Sequence, residues 1–135
     1  MRSILDAICD LIEDGTDIPV VVGSLPPHEG VAIQLATGAV ESAYLPRTNL
    51  HRDTYVINAK YADQKTAIDN LNAIHEALTK RIGYPEDDEW QISVIATSTS
   101  PDYLGQEGNE YYLYGSSIVV KWYDRRMAVD LPQGD

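Results

Sequence analysis

From Asp63 onward the chain places apolar residues at Ile68, Leu71, Ile74, Leu78 and Ile82, and Gly83 and Pro85 follow. Steps of three and four mark one face of a helix, and a glycine with a nearby proline stops it. A helix over Asp63–Ile82 would be roughly 30 Å long. After it come Trp90–Thr97 and Tyr111–Tyr123, both rich in β-branched and aromatic residues. An apolar helix stripe needs a sheet face to cover it, and these two runs supply one. The helix–strand–strand unit carries no catalytic motif. It points to a subunit that works by its shape.

The segments before it follow the same logic. Ser3 suits an N-cap, Asp6 favours the positive end of the helix dipole, and Ile4, Leu5, Ile8, Leu11 and Ile12 share a face. Gly15 is expected to end that helix. Ile18–Val22 reads as a short strand, and Pro19 puts it at a sheet edge. Val31, Ile33 and Leu35 alternate with Ala32, Gln34 and Ala36, as do Tyr55, Ile57, Ala59 and Tyr61 with Val56, Asn58 and Lys60. The two runs pair as a hairpin around a long tip, Ala39–Arg52. A second long tip is expected at Ser98–Asn109, and Gly115 marks a bulge or a close backbone approach. Trp90, Ile92, Val94 and Ala96 should share one face, as should Tyr112, Tyr114, Ser116, Ile118, Val120 and Trp122.

The expected fold class is therefore α+β, in the order αβββαββ. Two helices cover one face of a mixed, mainly antiparallel sheet. Residues 1–123 read as a single domain, and 124–135 as a frayed tail.

Composition sets what such a domain can meet. Ten Lys and Arg against 21 Asp and Glu leave a net charge of −11. A chain so acidic lacks the cations that sequence-specific nucleic-acid binding requires. Cys9 is the single cysteine, has no internal partner for a disulfide, and lies on the apolar helix face. Asp6 and Asp10 interrupt any signal-peptide core, and no stretch approaches 18 apolar residues, so synthesis in the cytoplasm and no membrane partner are expected. Nine Tyr, two Trp and no Phe supply the aromatic bulk, which suits half-buried strands and assembly surfaces alike.

Reactive constellations are missing from the pattern. His28, His51 and His75 have no histidine or cysteine partner at metal-ligand spacing. Glu86–Glu89 lacks the alternating ligands and glycine of a calcium loop. Tyr114-Gly-Ser-Ser117 falls inside a strand and is no nucleophile elbow. No catalytic residue, cofactor or metal is expected. His75 reads as a surface or boundary residue of the helix. The candidate contact residues lie on the two tips. Ser42–Arg52 holds no acid, and it presents Tyr44, Leu45, Arg47, Leu50, His51 and Arg52; the second tip presents Tyr103 and Leu104. Apolar and cationic residues on a projecting loop suit an acidic partner surface or a neighbouring subunit.

Ile4–Ile12, the Asp63–Gly83 helix, Trp90–Ala96 and Gly115–Trp122, taken in this order, resemble the minor capsid or tail terminator proteins of long-tailed bacteriophages. The resemblance spans residues 1–123 and is a pattern of elements, shared by other head–tail joining proteins. It implies a structural virion protein at the head–tail junction. Its partners would be further copies in a ring, usually a hexamer, the tail tube protein and the head connector protein. Such a ring caps the finished tube and stops its polymerisation. An acidic lumen would let DNA pass without sticking. The residues leave two other readings open: a small cytoplasmic binding or regulatory domain acting through a sheet edge, and a small enzyme with its site assembled in a sheet pocket.

Overall fold

The computed structural model describes residues 3–40 and 50–125. Its elements are α1 (Ile4–Thr16), β1 (Val20–Val22), β2 (Gly30–Val40), β3 (Leu50–Tyr61), α2 (Gln64–Thr79), β4 (Trp90–Glu107) and β5 (Tyr111–Asp124). The strands form one sheet in the order β1-β2-β3-β5-β4. β1 runs parallel to β2, and all other pairs are antiparallel. This is the expected α+β class and element order.

Both helices begin where the sequence provides a cap. The Asp6 amide donates to Ser3 Oγ at 3.0 Å while the Ser3 amide donates to Asp6 Oδ2 at 3.4 Å, a reciprocal capping box. Asp63 caps α2, with its Oδ2 accepting from the Thr66 amide at 3.0 Å. Asp63→Ala strands that amide and will cost about 1 kcal/mol of stability, measurable as a lower urea midpoint at unchanged slope.

Both helix ends differ from expectation. Gly15 does not stop α1, which continues to Thr16; Asp17 takes the left-handed conformation, φ 61°. Gly15 serves instead as a contact point, because a Cβ there would lie 2.9 Å from Ala77 Cβ of α2. Helix α2 stops at Thr79, short of Ile82. The Tyr84 hydroxyl folds back and donates to the Leu78 carbonyl at 2.8 Å, satisfying an acceptor that another helical turn would have used.

One core joins both helices to the sheet. Ile8, Ile12, Leu71, Ile74 and Leu78 pack with Ile33, Ile57, Ile118 and Val120, all without solvent exposure. Tyr55 and Ala59 are buried in the same cluster, as the alternation predicts. The strand residues in it alternate along β3 and β5, so the helices share one face, and the other face carries no helix among the described residues.

The strands are longer than expected, and the tips correspondingly shorter. β2 and β3 pair out to Val40↔His51, so Ala39, Val40 and Leu50–Arg52 are strand rather than tip. Ser98–Glu107 is not a loop either. It belongs to β4, which reaches a turn at Gly108. Polar composition hid this strand because β4 is the sheet's edge and has a single neighbour. Four register shifts along β4 record its irregularity. The first, between Ile92 and Val94, changes which face follows: Trp90, Ile92 and Ile95 are buried, whereas Val94 is 40% exposed. Strict alternation through Val94 and Ala96 therefore fails at a bulge. Leu35 also breaks its pattern, at 54% exposure.

Gly115 makes a close approach. It faces Asn58 in register, and an added Cβ would lie 2.8 Å from both Asn58 Oδ1 and Leu104 Cδ1. On the same helix-free face, Lys60 is 2% exposed. Its ammonium donates to Glu107 Oε1 at 3.0 Å and to the Pro27 carbonyl at 3.1 Å, and lies 5.2 Å from the Tyr111 ring centre. Lys60 thus ties the loop before β2 to the β4–β5 turn. No helix among the described residues is long and apolar enough to cross a membrane.

Candidate interaction surface

The early end of α2 leaves Ile82 fully exposed in the connection to β4. Ile82, Tyr84, Ile92, Val94 and Tyr123 line an open groove of about 520 Å³ beside the β4 edge, and Arg81 lines it as well. Val94 and Tyr123 are each 40% exposed there. Large apolar side chains gathered at one exposed place mark contact surfaces more than isolated ones do. On the helix-free face Val94 lies in register with Lys121, and Lys121 with Arg52. The groove therefore has Lys121 next to Val94 and the acidic turn Glu86–Glu89 next to Gln91, a border of mixed charge.

The acidic turn beside the groove is tied down by its own bonds. Arg125 pairs with Glu86 at 2.6 Å, and its guanidinium donates to the Asp87 carbonyl at 2.9 Å. Asp87 Oδ1 accepts from the amides of Glu89 at 2.7 Å and Trp90 at 3.2 Å. Glu86–Glu89 thus organises the start of β4.

The opposite side of the sheet is apolar too, with a different rim. Val21 and Val22 of β1 are 42% and 57% exposed, and Val22 pairs with Ile33 one step from Leu35 on the same face. Helix α1 runs alongside: the Val20 amide donates to Glu13 Oε2 at 3.3 Å. Between Asp6 and Asp17 this helix and its cap hold Asp6, Asp10, Glu13, Asp14 and Asp17 with no cation. Their field is felt by Cys9. Partial burial, then Glu13, Asp6 and Asp10, push its thiol up to about 11. The thiol stays protonated at neutral pH and is a poor nucleophile.

The residues singled out on the two tips are dispersed by the fold. Tyr44, Leu45 and Arg47 lie outside the described residues. Leu50, His51 and Arg52 are strand residues of β3. His51 stacks on Trp122 with ring centres 4.2 Å apart, and its Nε2 lies 3.9 Å from Asp124 Oδ2. Trp122 in turn donates to Asp53 at 2.8 Å. Arg52 is exposed on the helix-free face. Tyr103 and Leu104 point to different sides of β4. Tyr103 meets the Tyr114 ring edge-on at 5.5 Å, whereas Leu104 reaches over Gly115. Among the described ones, Leu50 lies in register with Tyr123 of the groove, and Arg52 with Lys121, the register partner of Val94. Sequence reasoning missed the groove because Ile82 fits the helical stripe and Val94 fits the strand alternation.

His75 is not a surface residue. It is 6% exposed, its Nδ1 lies 2.8 Å from Thr97 Oγ1, and its Nε2 is buried without a hydrogen-bond partner. Burial holds its pKa below the ordinary value of 6.5. The unfolded chain therefore takes up the proton first as the pH falls. The neutral ring's contribution is intact above 6.5 and is lost progressively from there down to the lowered folded pKa. Urea midpoints at pH 7.5 and 5.5 will show wild type losing stability relative to His75→Leu at the lower pH; parallel shifts in the two proteins would refute this. Among the described residues no group of three His, Cys, Asp or Glu side chains is placed to hold a metal.

These features define an α+β domain with two unlike apolar edges. The fold is similar to that of one chain in a solved structure described as the virion of a native gene transfer agent particle. The identity is 13% and the TM-score 0.64, over 90% of this chain and 95% of that one. At this identity the likeness is one of fold. No protein-family model and no curated protein matches the sequence.

Proposed function

We propose that this chain is a structural protein of a phage-like virion. In this reading it is a tail terminator or minor capsid subunit that forms a ring at the end of the tail tube, stops tube growth and joins tail to head. The observation that carries the reading is the fold likeness to a virion chain, which spans most of both chains. Residue-level features support it. The sheet presents two different apolar edges, as a heterologous ring contact requires. The acidic outer face of α1 suits a channel that DNA must pass without adhering. The ring copy number is proposed as six, with tail tube protein and head connector protein as neighbours, and residues 1–123 as the folded unit. The tip residues Tyr44, Leu45 and Arg47 are proposed to contact a neighbour.

Native mass by light scattering tests this reading across a range of concentrations, alone and with purified tail tube subunits. A species of about six copies, alone or at tube ends, is the expected result. A monomer at every concentration that ignores tube ends would overturn it and favour a sheet-edge binding domain. Strand addition is, however, opposed along much of β4 by its register shifts and by Pro101.

A further inference from the structure

We propose that the groove beside β4 is covered by this chain's own C-terminal segment, residues 127–131. The inference is independent of the ring reading. Its first support is the point where the described chain ends. The Arg125 amide donates to the Glu89 carbonyl at 2.9 Å, just before β4 begins. The Arg125 guanidinium holds Glu86 and the Asp87 carbonyl, and lies 3.5 Å from Gln91 Oε1. Gln91 lines the groove, and so does Tyr123, which precedes Arg125 in the same strand run. Residues 126–135 therefore follow an anchor fixed at the border of the groove.

The second support is what that segment carries. Met127, Val129 and Leu131 alternate with Ala128 and Asp130, so an extended chain would turn the three apolar side chains to one side. They match the exposed apolar part of the groove, Ile82, Val94 and Tyr123. Pro132 follows and cannot continue a ladder. The third support is reach. Trp90 to Val94 is about 13 Å along β4, and the chain from Arg125 to Leu131 spans up to about 20 Å. Residues 94–97 form a regular run between two register shifts, and β4 has no second strand neighbour among the described residues. An extended segment can lie along such a run. A segment tethered this close competes at high effective concentration with any separate molecule. In the free protomer it withholds the groove, and a partner must displace it to use the same edge.

Thiol labelling of the full-length chain tests this, with Cys9→Ala in every variant. With Val94→Cys, the introduced thiol will react with a small maleimide about fivefold more slowly than when Met127, Val129 and Leu131 are also changed to serine. With Val22→Cys, on the far edge of the sheet, the same serine changes will leave the rate unaltered. Dilution by about a hundredfold will preserve the protection at Val94→Cys, because the contact lies within one chain. Circular dichroism confirms that each variant is folded. Equal rates with the native and the serine segments overturn the inference. Protection that fades on dilution also overturns it, because the segment would then sit in a second copy. An equal rise at Val22→Cys overturns it as well, since it would record a general loosening of the fold. None of these results bears on the ring reading, which native mass decides.

Discussion

Leu71→Ala will lower the unfolding free energy by about 3–4 kcal/mol. Leu71 has no solvent exposure, and it is among the largest fully buried side chains of the core. It lies on the face of α2 that meets the sheet, in one cluster with Ile57, Ile74 and Ile118. Truncation removes the transfer free energy of the lost carbons and leaves a void. The void collapses poorly here, because the sheet on one side and the helix backbone on the other are both held by hydrogen bonds. In a domain of this size the melting temperature should fall by about 10 °C. Calorimetry checks the result, and a loss below about 1 kcal/mol would mean that α2 is not seated as described.

Gly15→Val will destabilise by about 2–3 kcal/mol, although helix propensity by itself predicts a modest gain over glycine. The opposing term is steric. The first carbon of any side chain at this position lies 2.9 Å from Ala77 Cβ. Neither atom can rotate away, since each is attached directly to a helix backbone. The two helices must separate, and the contacts that Ile12 and Leu78 make in the shared core loosen with them. Ala77→Gly in the same protein should restore part of the loss, which a double-mutant cycle in urea measures. If Gly15→Val instead raises the midpoint, Gly15 is acting only as a flexible position near the end of α1.

Much of this fold is legible from local pattern. Ser3 and Asp63 announce the helix starts because a cap needs only a side-chain acceptor next to free amides. Tyr55, Ile57 and Ala59 declare the buried face of β3 because a straight strand alternates. The pattern fails where a distant residue intervenes. Tyr84 ends α2 early by taking the Leu78 carbonyl, and this turns Ile82 from a core residue into an exposed one. A bulge after Ile92 moves Val94 to the outside and Ile95 inward. The candidate groove consists of those exceptions, which is why periodicity could not reveal it.

The tips show the converse. Ser98–Glu107 looks like loop because it is polar, yet a sheet edge with one neighbour needs few apolar residues to stay paired. His75 looks like a helix-surface residue because histidine is polar, yet packing against Thr97 of β4 buries it. By itself the sequence determined the fold class, the element order, the helix caps, most of the core and the strong negative charge. Each of these depends on near neighbours or on composition. Tertiary structure alone decided the length of β4, the ejection of Ile82, the burial of His75 and the gathering of Ile82, Val94 and Tyr123 beside the β4 edge. Those outcomes depend on hydrogen bonds and contacts between residues far apart in the chain, which no local period records.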